Sequence, residues 1–197
     1  MKITEEMVLN ELRETNALLS GHFVLSSGRH SGNYCQCAQL LRFPKRAALV
    51  LERVAEQVRE ANLGITKVCG PAMGAILVSY ELGRLLDVET IFTERNKETD
   101  EMELRRGFEV GPGDRVLVVE DAITTGKSAM EAVKVLKSLG AEVVALGCIA
   151  DRRAEGVELP YDVYSAVRLD FASYPADDCP ICREGKIPPV KPGSRRK

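Results

Sequence analysis

Arg115-Val-Leu-Val-Val-Glu-Asp-Ala-Ile-Thr-Thr-Gly-Lys-Ser128 runs from an apolar stretch through two carboxylates to a small, hydroxyl-rich turn. Val116, Leu117, Val118 and Val119 form an unbroken apolar run, the pattern of a strand covered on both faces. Glu120 and Asp121 follow at its carboxyl end. Thr124, Thr125, Gly126, Lys127 and Ser128 then bring hydroxyls and small side chains to a helix start, where free backbone N–H groups and the positive end of the helix dipole favour an anion. Carboxylates do not hold a phosphate, but they do hold sugar hydroxyls or a magnesium ion beside one. A phosphorylated sugar with its metal satisfies both halves of the stretch. Gly126-Lys127-Ser128 also ends the nucleoside-triphosphatase loop G-x-x-x-x-G-K-[ST], but that loop's first glycine would fall at position 121, an aspartate, and its tight turn is lost.

Outward from this stretch, the pattern is strand and helix in alternation. Towards the amino end, Glu89 to Thr93 reads as a strand, and Val68-Cys69 as a brief one that Gly70-Pro-Ala-Met-Gly-Ala75 turns into a helix carrying Ile76, Leu77, Tyr80 and Leu85. Pro44 opens a core helix with Leu51, Val54, Ala55 and Val58 at helical spacing up to Gly64. Towards the carboxyl end, Ala132, Val133, Leu136 and Leu139 mark the inner face of the helix after the elbow, with Gly140 at its end. Val143 to Ala150 is a further buried strand, closed by Asp151-Arg152-Arg153, and Asp162 to Arg168 is a last one. Strands starting at Lys67, Glu89, Arg115 and Val143 imply an α/β fold, a mostly parallel sheet with right-handed crossovers flanked by helices.

Other segments read as accessories. Thr4 caps a peripheral first helix that ends around Thr15 to Ala17, with Val8, Leu12 and Leu19 near one face. His22 to Ser26 and Asn33 to Cys37 read as two strands around the loop 27–32. Glu94 to Arg106 is almost wholly charged, which predicts a solvated, mobile loop. Gly107 to Val110 reads as a short strand before the Gly111-Pro-Gly-Asp114 turn. The division expected is one domain over 1–197: an N-terminal hood region 1–43, an α/β core 44–170 and an irregular C-terminal tail 171–197.

A chain of 197 residues, 45% hydrophobic and 28% charged, supports one domain with a substantial core. A net charge of −2 argues against general nucleic-acid or membrane-surface binding. No apolar run has the length of a membrane span, and Met1 to Glu6 leads into a polar helix, so a cytoplasmic protein is expected. Six cysteines fit a reducing compartment. Cys179-x-x-Cys182 supplies only two of the four ligands of a tetrahedral zinc, and Cys35 and Cys37 lie far away in sequence, so a structural tail with reduced thiols is the favoured reading. Lys191 to Lys197 reads as a solvated basic end.

The acidic pair, Thr124-Thr125-Gly126 and their flanks resemble the phosphoribosyl-pyrophosphate (PRPP) motif of type I phosphoribosyltransferases. Gly21-His-Phe-x-Leu-x-Ser-Gly-Arg29 and Asp151-Arg152 bring the resemblance closest to the orotate phosphoribosyltransferases, from Leu19 to about Leu169. It implies the type I phosphoribosyltransferase fold, with the hairpin and first helix as a hood over the base. It implies transfer of a phosphoribosyl group from PRPP to orotate, with Mg2+ riding mainly on pyrophosphate and ribose oxygens and few direct protein ligands. Glu120 and Asp121 then hold the ribose hydroxyls, Ala122, Ile123, Thr124, Thr125, Gly126, Lys127 and Ser128 hold the 5′-phosphate, and Thr124 and Arg152 hold orotate. Residues 70–75 receive pyrophosphate. Residues 94–106 become a lid in which Arg95 covers the departing pyrophosphate, with Lys97, Arg105 and Arg106 as further cations. A homodimer is implied as well. This chain departs from the family's usual lysines at Ser26 and Gly74, and its lid has no histidine. A transferase for another base and a PRPP-sensing regulator share the cradle; the first has no use for Arg152, and the second needs a nucleic-acid surface this near-neutral chain lacks.

Overall fold

The computed structural model describes residues 2–25 and 27–192. Ser26, where the resemblance expects a lysine, and residues 193–197 of the basic end lie outside the described residues. In chain order the elements are α1 (Glu5–Glu14), a hairpin of β1 (Leu18–Val24) and β2 (His30–Cys35), α2 (Cys37–Leu41), α3 (Pro44–Glu60), β3 (Lys67–Pro71) and α4 (Ile76–Leu86). A second hairpin, β4 (Glu89–Arg95) and β5 (Met102–Leu104), leads to β6 (Arg115–Ile123), α5 (Lys127–Ser138), β7 (Glu142–Asp151) and β8 (Val163–Arg168). β9 (Ser173–Tyr174), a 3-10 turn (Ala176–Asp178) and α6 (Pro180–Glu184) follow.

The central sheet has the order β5-β4-β3-β6-β7-β8, parallel throughout except for β5. β6 shows why the unbroken apolar run is needed. Leu117 and Val119 join one core with α1, α3 and α4, while Val116 and Val118 join the core under α5, so each face of the strand is covered. Because α4 and α5 lie on opposite faces, the winding direction reverses between β3 and β6. That crevice, at the carboxyl ends of two neighbouring strands, is where open α/β sheets bind ligands.

Several sequence expectations shift. The strand at the elbow runs on to Ile123, so Glu120 and Asp121 lie within its last four residues rather than beyond it. The lid is a hairpin: Thr93, Glu94 and Arg95 pair with Leu104, Glu103 and Met102. Residues 107–110 form no strand; Arg106 and Gly107 both take positive φ, and Phe108 folds onto Phe92 with ring centroids 5.0 Å apart. Leu139, expected on the inner face of the helix after the elbow, is its C-terminal cap and is exposed. α1 is no part of the hood, because Val8 and Leu12 are fully buried against the main core; Leu19, expected on that helix face, lies in β1.

The hood is a separate sheet of order β1-β2-β9, so the tail expected to be irregular supplies a strand to it. The tail also returns along the other edge. The Val24 amide donates to the Val190 carbonyl and the Val190 amide to the His22 carbonyl, both at 2.8 Å. Both edges of the hairpin therefore have backbone partners.

Candidate active site

The elbow forms because β6 ends at Ile123 and the chain turns sharply into α5. Gly126 stands at the turn with φ of +72°, a conformation that favours glycine, and an added Cβ would lie 2.7 Å from the end of the Leu159 side chain, which would have to give way. Gly126, at the N-cap of α5, brings no side chain to cap it. Among the described residues, the amides of Thr125, Gly126 and Ser128 are bonded to no acceptor, while the Lys127 amide leans on the Thr125 hydroxyl at 3.4 Å. Thr124 and Thr125 are exposed beside them. The result is an open nest of donors at the positive end of α5.

Facing it, residues 70–75 leave β3 and pass close to the acid pair. A Cβ on Gly74 would sit 3.4 Å from the Asp121 carboxyl atoms. Gly70 is required for the same turn, since its Cβ would lie 2.6 Å from the Ala75 carbonyl. Asp121 accepts from the Ala122 amide at 2.8 Å, and the Cys37 thiol donates to the Asp121 carbonyl at 3.4 Å. Among the described residues no arginine, lysine or histidine forms an ion pair with Glu120 or Asp121. Burial, with Asp121 alongside, pushes the Glu120 carboxyl up to about 8, and burial raises Asp121 as well. The pair is thus a set of hard oxygen donors short of a positive or hydroxylic partner, which fits a sugar diol or a water-coordinated magnesium ion.

Asp151-Arg152-Arg153 closes β7, one strand further on. The two arginines differ sharply. Arg153 donates twice to Asp151 from Nε at 3.0 Å and from a terminal nitrogen at 2.8 Å, and Arg168 donates to the same carboxylate at 2.8 Å. Among the described residues Arg152 has no carboxylate partner and its buried Nε has no acceptor; its guanidinium lies 5.1 Å from the centroid of the Phe171 ring. Phe171 gave no sign in sequence, being one aromatic residue in a tail. Its relevance comes only from β8 ending beside β7.

The lid cations are mostly engaged. Arg95 is paired with Glu131 on α5 and donates to the Asp100 carbonyl at 2.8 Å, so it is not directed at the acid pair. Arg106 forks onto Glu94 at 2.9 and 3.0 Å, and Arg105 lies 3.9 Å from Glu94 and Glu103. Lys97, exposed at the hairpin tip, has no carboxylate within 4.0 Å among the described residues.

Residues 37–175 match the family model described as "Phosphoribosyl transferase domain". An orotate phosphoribosyltransferase of Caldicellulosiruptor bescii is 44% identical over 99% of this chain and 100% of its own length. The crystal structure of orotate phosphoribosyltransferase from Aeropyrum pernix superposes with a TM-score of 0.71 at 26% identity, covering 82% of this chain and 93% of that one. The Mycobacterium tuberculosis orotate phosphoribosyltransferase, solved in complex with PRPP, superposes at 0.62 with 26% identity over 84% of this chain and 97% of that one. The chain belongs to the phosphoribosyltransferase family, and within it to the orotate phosphoribosyltransferases.

Proposed function

We propose that the chain transfers the 5-phosphoribosyl group of PRPP to orotate, giving orotidine 5′-phosphate and pyrophosphate in UMP synthesis. The observation that carries this reading is one crevice region furnishing an acid pair without counter-charge, an uncapped helix start and an arginine without a carboxylate partner. A sugar diol, a phosphate and the carboxylate of orotate complement those three features in turn.

In this reading the bond from ribose C1 to pyrophosphate breaks as N1 of orotate forms its bond to C1. Glu120 and Asp121 accept the ribose hydroxyls and, as carboxylates, favour positive charge developing on the ribosyl ring. Residues 122–128 hold the 5′-phosphate through backbone amides and the hydroxyls of Thr124, Thr125 and Ser128. Arg152, steadied over Phe171, forks onto the orotate carboxylate, and Thr124 orients the base. Magnesium, when bound, offsets charge on pyrophosphate; the acid pair suits it through retained water. The lid supplies cations to the departing pyrophosphate. Arg95 serves there by exchanging Glu131 for it, and Lys97 serves without breaking an ion pair. A hydroxyl donated to Glu120 favours its charged form, so PRPP binding near neutral pH releases a proton.

Met73, Leu77 and Tyr80 leave an exposed apolar stripe along α4 and the turn before it. A second copy of the chain fits this face, giving a homodimer. A cytosolic location suits six cysteines that are all free thiols, and no helix among the described residues is long and apolar enough to cross a membrane.

The test is the loss of orotate absorbance with PRPP and magnesium. Arg152→Ala should lower kcat/KM for orotate by on the order of 10²-fold or more, about 3 kcal/mol, while PRPP affinity is kept. Arg153→Ala should retain most turnover. Intact kinetics in Arg152→Ala would overturn the role of that arginine, and preference for another base would overturn the substrate.

A further inference from the structure

Two histidines of the hood and two cysteines of the tail meet where neither segment alone suggests a site. His22 lies in β1, His30 opens β2, Cys179 precedes α6 and Cys182 lies within it. Their ligand atoms all fall within 4.8 Å of one another. We propose that they form a structural zinc site that fastens the tail to the hood.

The geometry is that of a collapsed tetrahedron. His22 Nε2 is 2.8 Å from His30 Nδ1 and 3.6 Å from each of the Cys179 and Cys182 sulfurs, and Cys182 Sγ is 3.3 Å from His30 Nδ1. Around zinc with ordinary bond lengths, N···S edges come to about 3.6 Å and an N···N edge to about 3.3 Å. The two imidazole nitrogens and the His30–Cys182 pair need to part slightly, and the widest pair of ligand atoms, up to 4.8 Å apart, needs to close. His22 is already oriented for this role: its Nδ1 donates to the Ile187 carbonyl at 2.9 Å, which leaves the Nε2 lone pair facing the cluster.

Burial points the same way. Among residues 175–191 only Cys179 is buried, and α6 has no buried residue, so the tail has almost no apolar anchorage of its own. His22, His30 and Cys179 are all buried. Without an ion, the tail is held at that point by thiols, which are weak hydrogen-bonding groups. With Zn2+, the two thiols each lose a proton to solvent, and two thiolates neutralise the dication. Four protein ligands leave no open position, so the site is structural rather than catalytic. It joins segments more than 150 residues apart, which is where such a clip stabilises most. Cys35 and Cys37, 3.6 Å apart, form a separate pair. Thiolate and imidazole together select zinc over magnesium, so this site is independent of the one in the crevice.

Elemental analysis of the full chain, purified under reducing conditions without chelator, should find about one zinc per chain. Cys182→Ser and His30→Gln should lower that to near zero, and Cys37→Ser should not. Cobalt added to the metal-free wild type should give the intense visible bands and near-ultraviolet thiolate charge transfer of tetrahedral S2N2 coordination, a readout that needs no variant to fold. Wild-type protein that holds no zinc and develops no such bands overturns the site. So does a Cys179–Cys182 disulfide in the purified protein, or full zinc content in Cys182→Ser.

Discussion

Two carboxylate centres stand at the ends of adjacent strands and could hardly differ more. At the end of β6, Glu120 and Asp121 face the crevice without a cation among the described residues, and burial pushes Glu120 up to about 8. At the end of β7, Asp151 is also buried, yet Arg153 and Arg168 outweigh the effect of burial and hold it below the usual carboxylate range. Arg152 and Arg153 repeat the contrast in neighbouring residues. Charge that is compensated within the chain holds the chain together; charge left uncompensated in a concave place is held for a ligand.

The largest effect expected is on the uncompensated side. Replacing both acids, Glu120→Gln with Asp121→Asn, should lower kcat by on the order of 10³-fold with the melting temperature maintained or raised. A lower melting temperature would mean the pair is structural after all.

Asp151→Asn should do the reverse, costing about 2–4 kcal/mol by denaturant titration, because two arginines lose a buried partner. The sign in pH also reverses between the two centres. Asp151 has a lowered carboxyl pKa in the folded state, so its contribution is present above about pH 4 and fades as pH falls below that. Glu120 has a raised one, so the unfolded chain binds fewer protons than the native one between about pH 4.5 and 8, and stability falls as pH rises through that window. Glu120→Gln should therefore be more stable than wild type by roughly 1–2 kcal/mol at pH 8 and indistinguishable near pH 4. Equal melting curves at pH 8 would place Glu120 in a better solvated setting than the fold gives it. The smallest effect should come from Arg168→Ala: the side chain is 52% exposed and Arg153 keeps Asp151 paired, so a loss below about 1 kcal/mol is expected.

The crevice was legible because it is local. Acid pair, turn glycine and helix start follow one another along fourteen residues, and an unbroken run from Val116 to Val119 can hardly be other than a strand with both faces buried. β5 was hidden for the opposite reason: three residues, Met102–Leu104, carry little pattern among so many charges, and pairing with β4 decides their conformation. Leu77 and Tyr80 have helical spacing and apolar character, yet they sit on the face of α4 away from the sheet. Periodicity finds an apolar face without saying what covers it. Which of Arg152 and Arg153 was free depended on Asp151 and on Arg168 from the next strand. The His22, His30, Cys179 and Cys182 cluster was beyond reach, since a cysteine pair and two histidines eight positions apart become one constellation only when β9 lies beside β2.

That wrapping of the tail around the hood has a bearing on solubility. A hairpin with both edges bare offers two rows of unpaired amides and carbonyls to any passing strand, the usual route to sheet-mediated clumping. Here β9 occupies one edge and Val190 part of the other. Ending the chain after residue 172 would strip both guards at once while keeping Phe171 under Arg152, and such a shortened protein should precipitate at concentrations the full chain tolerates.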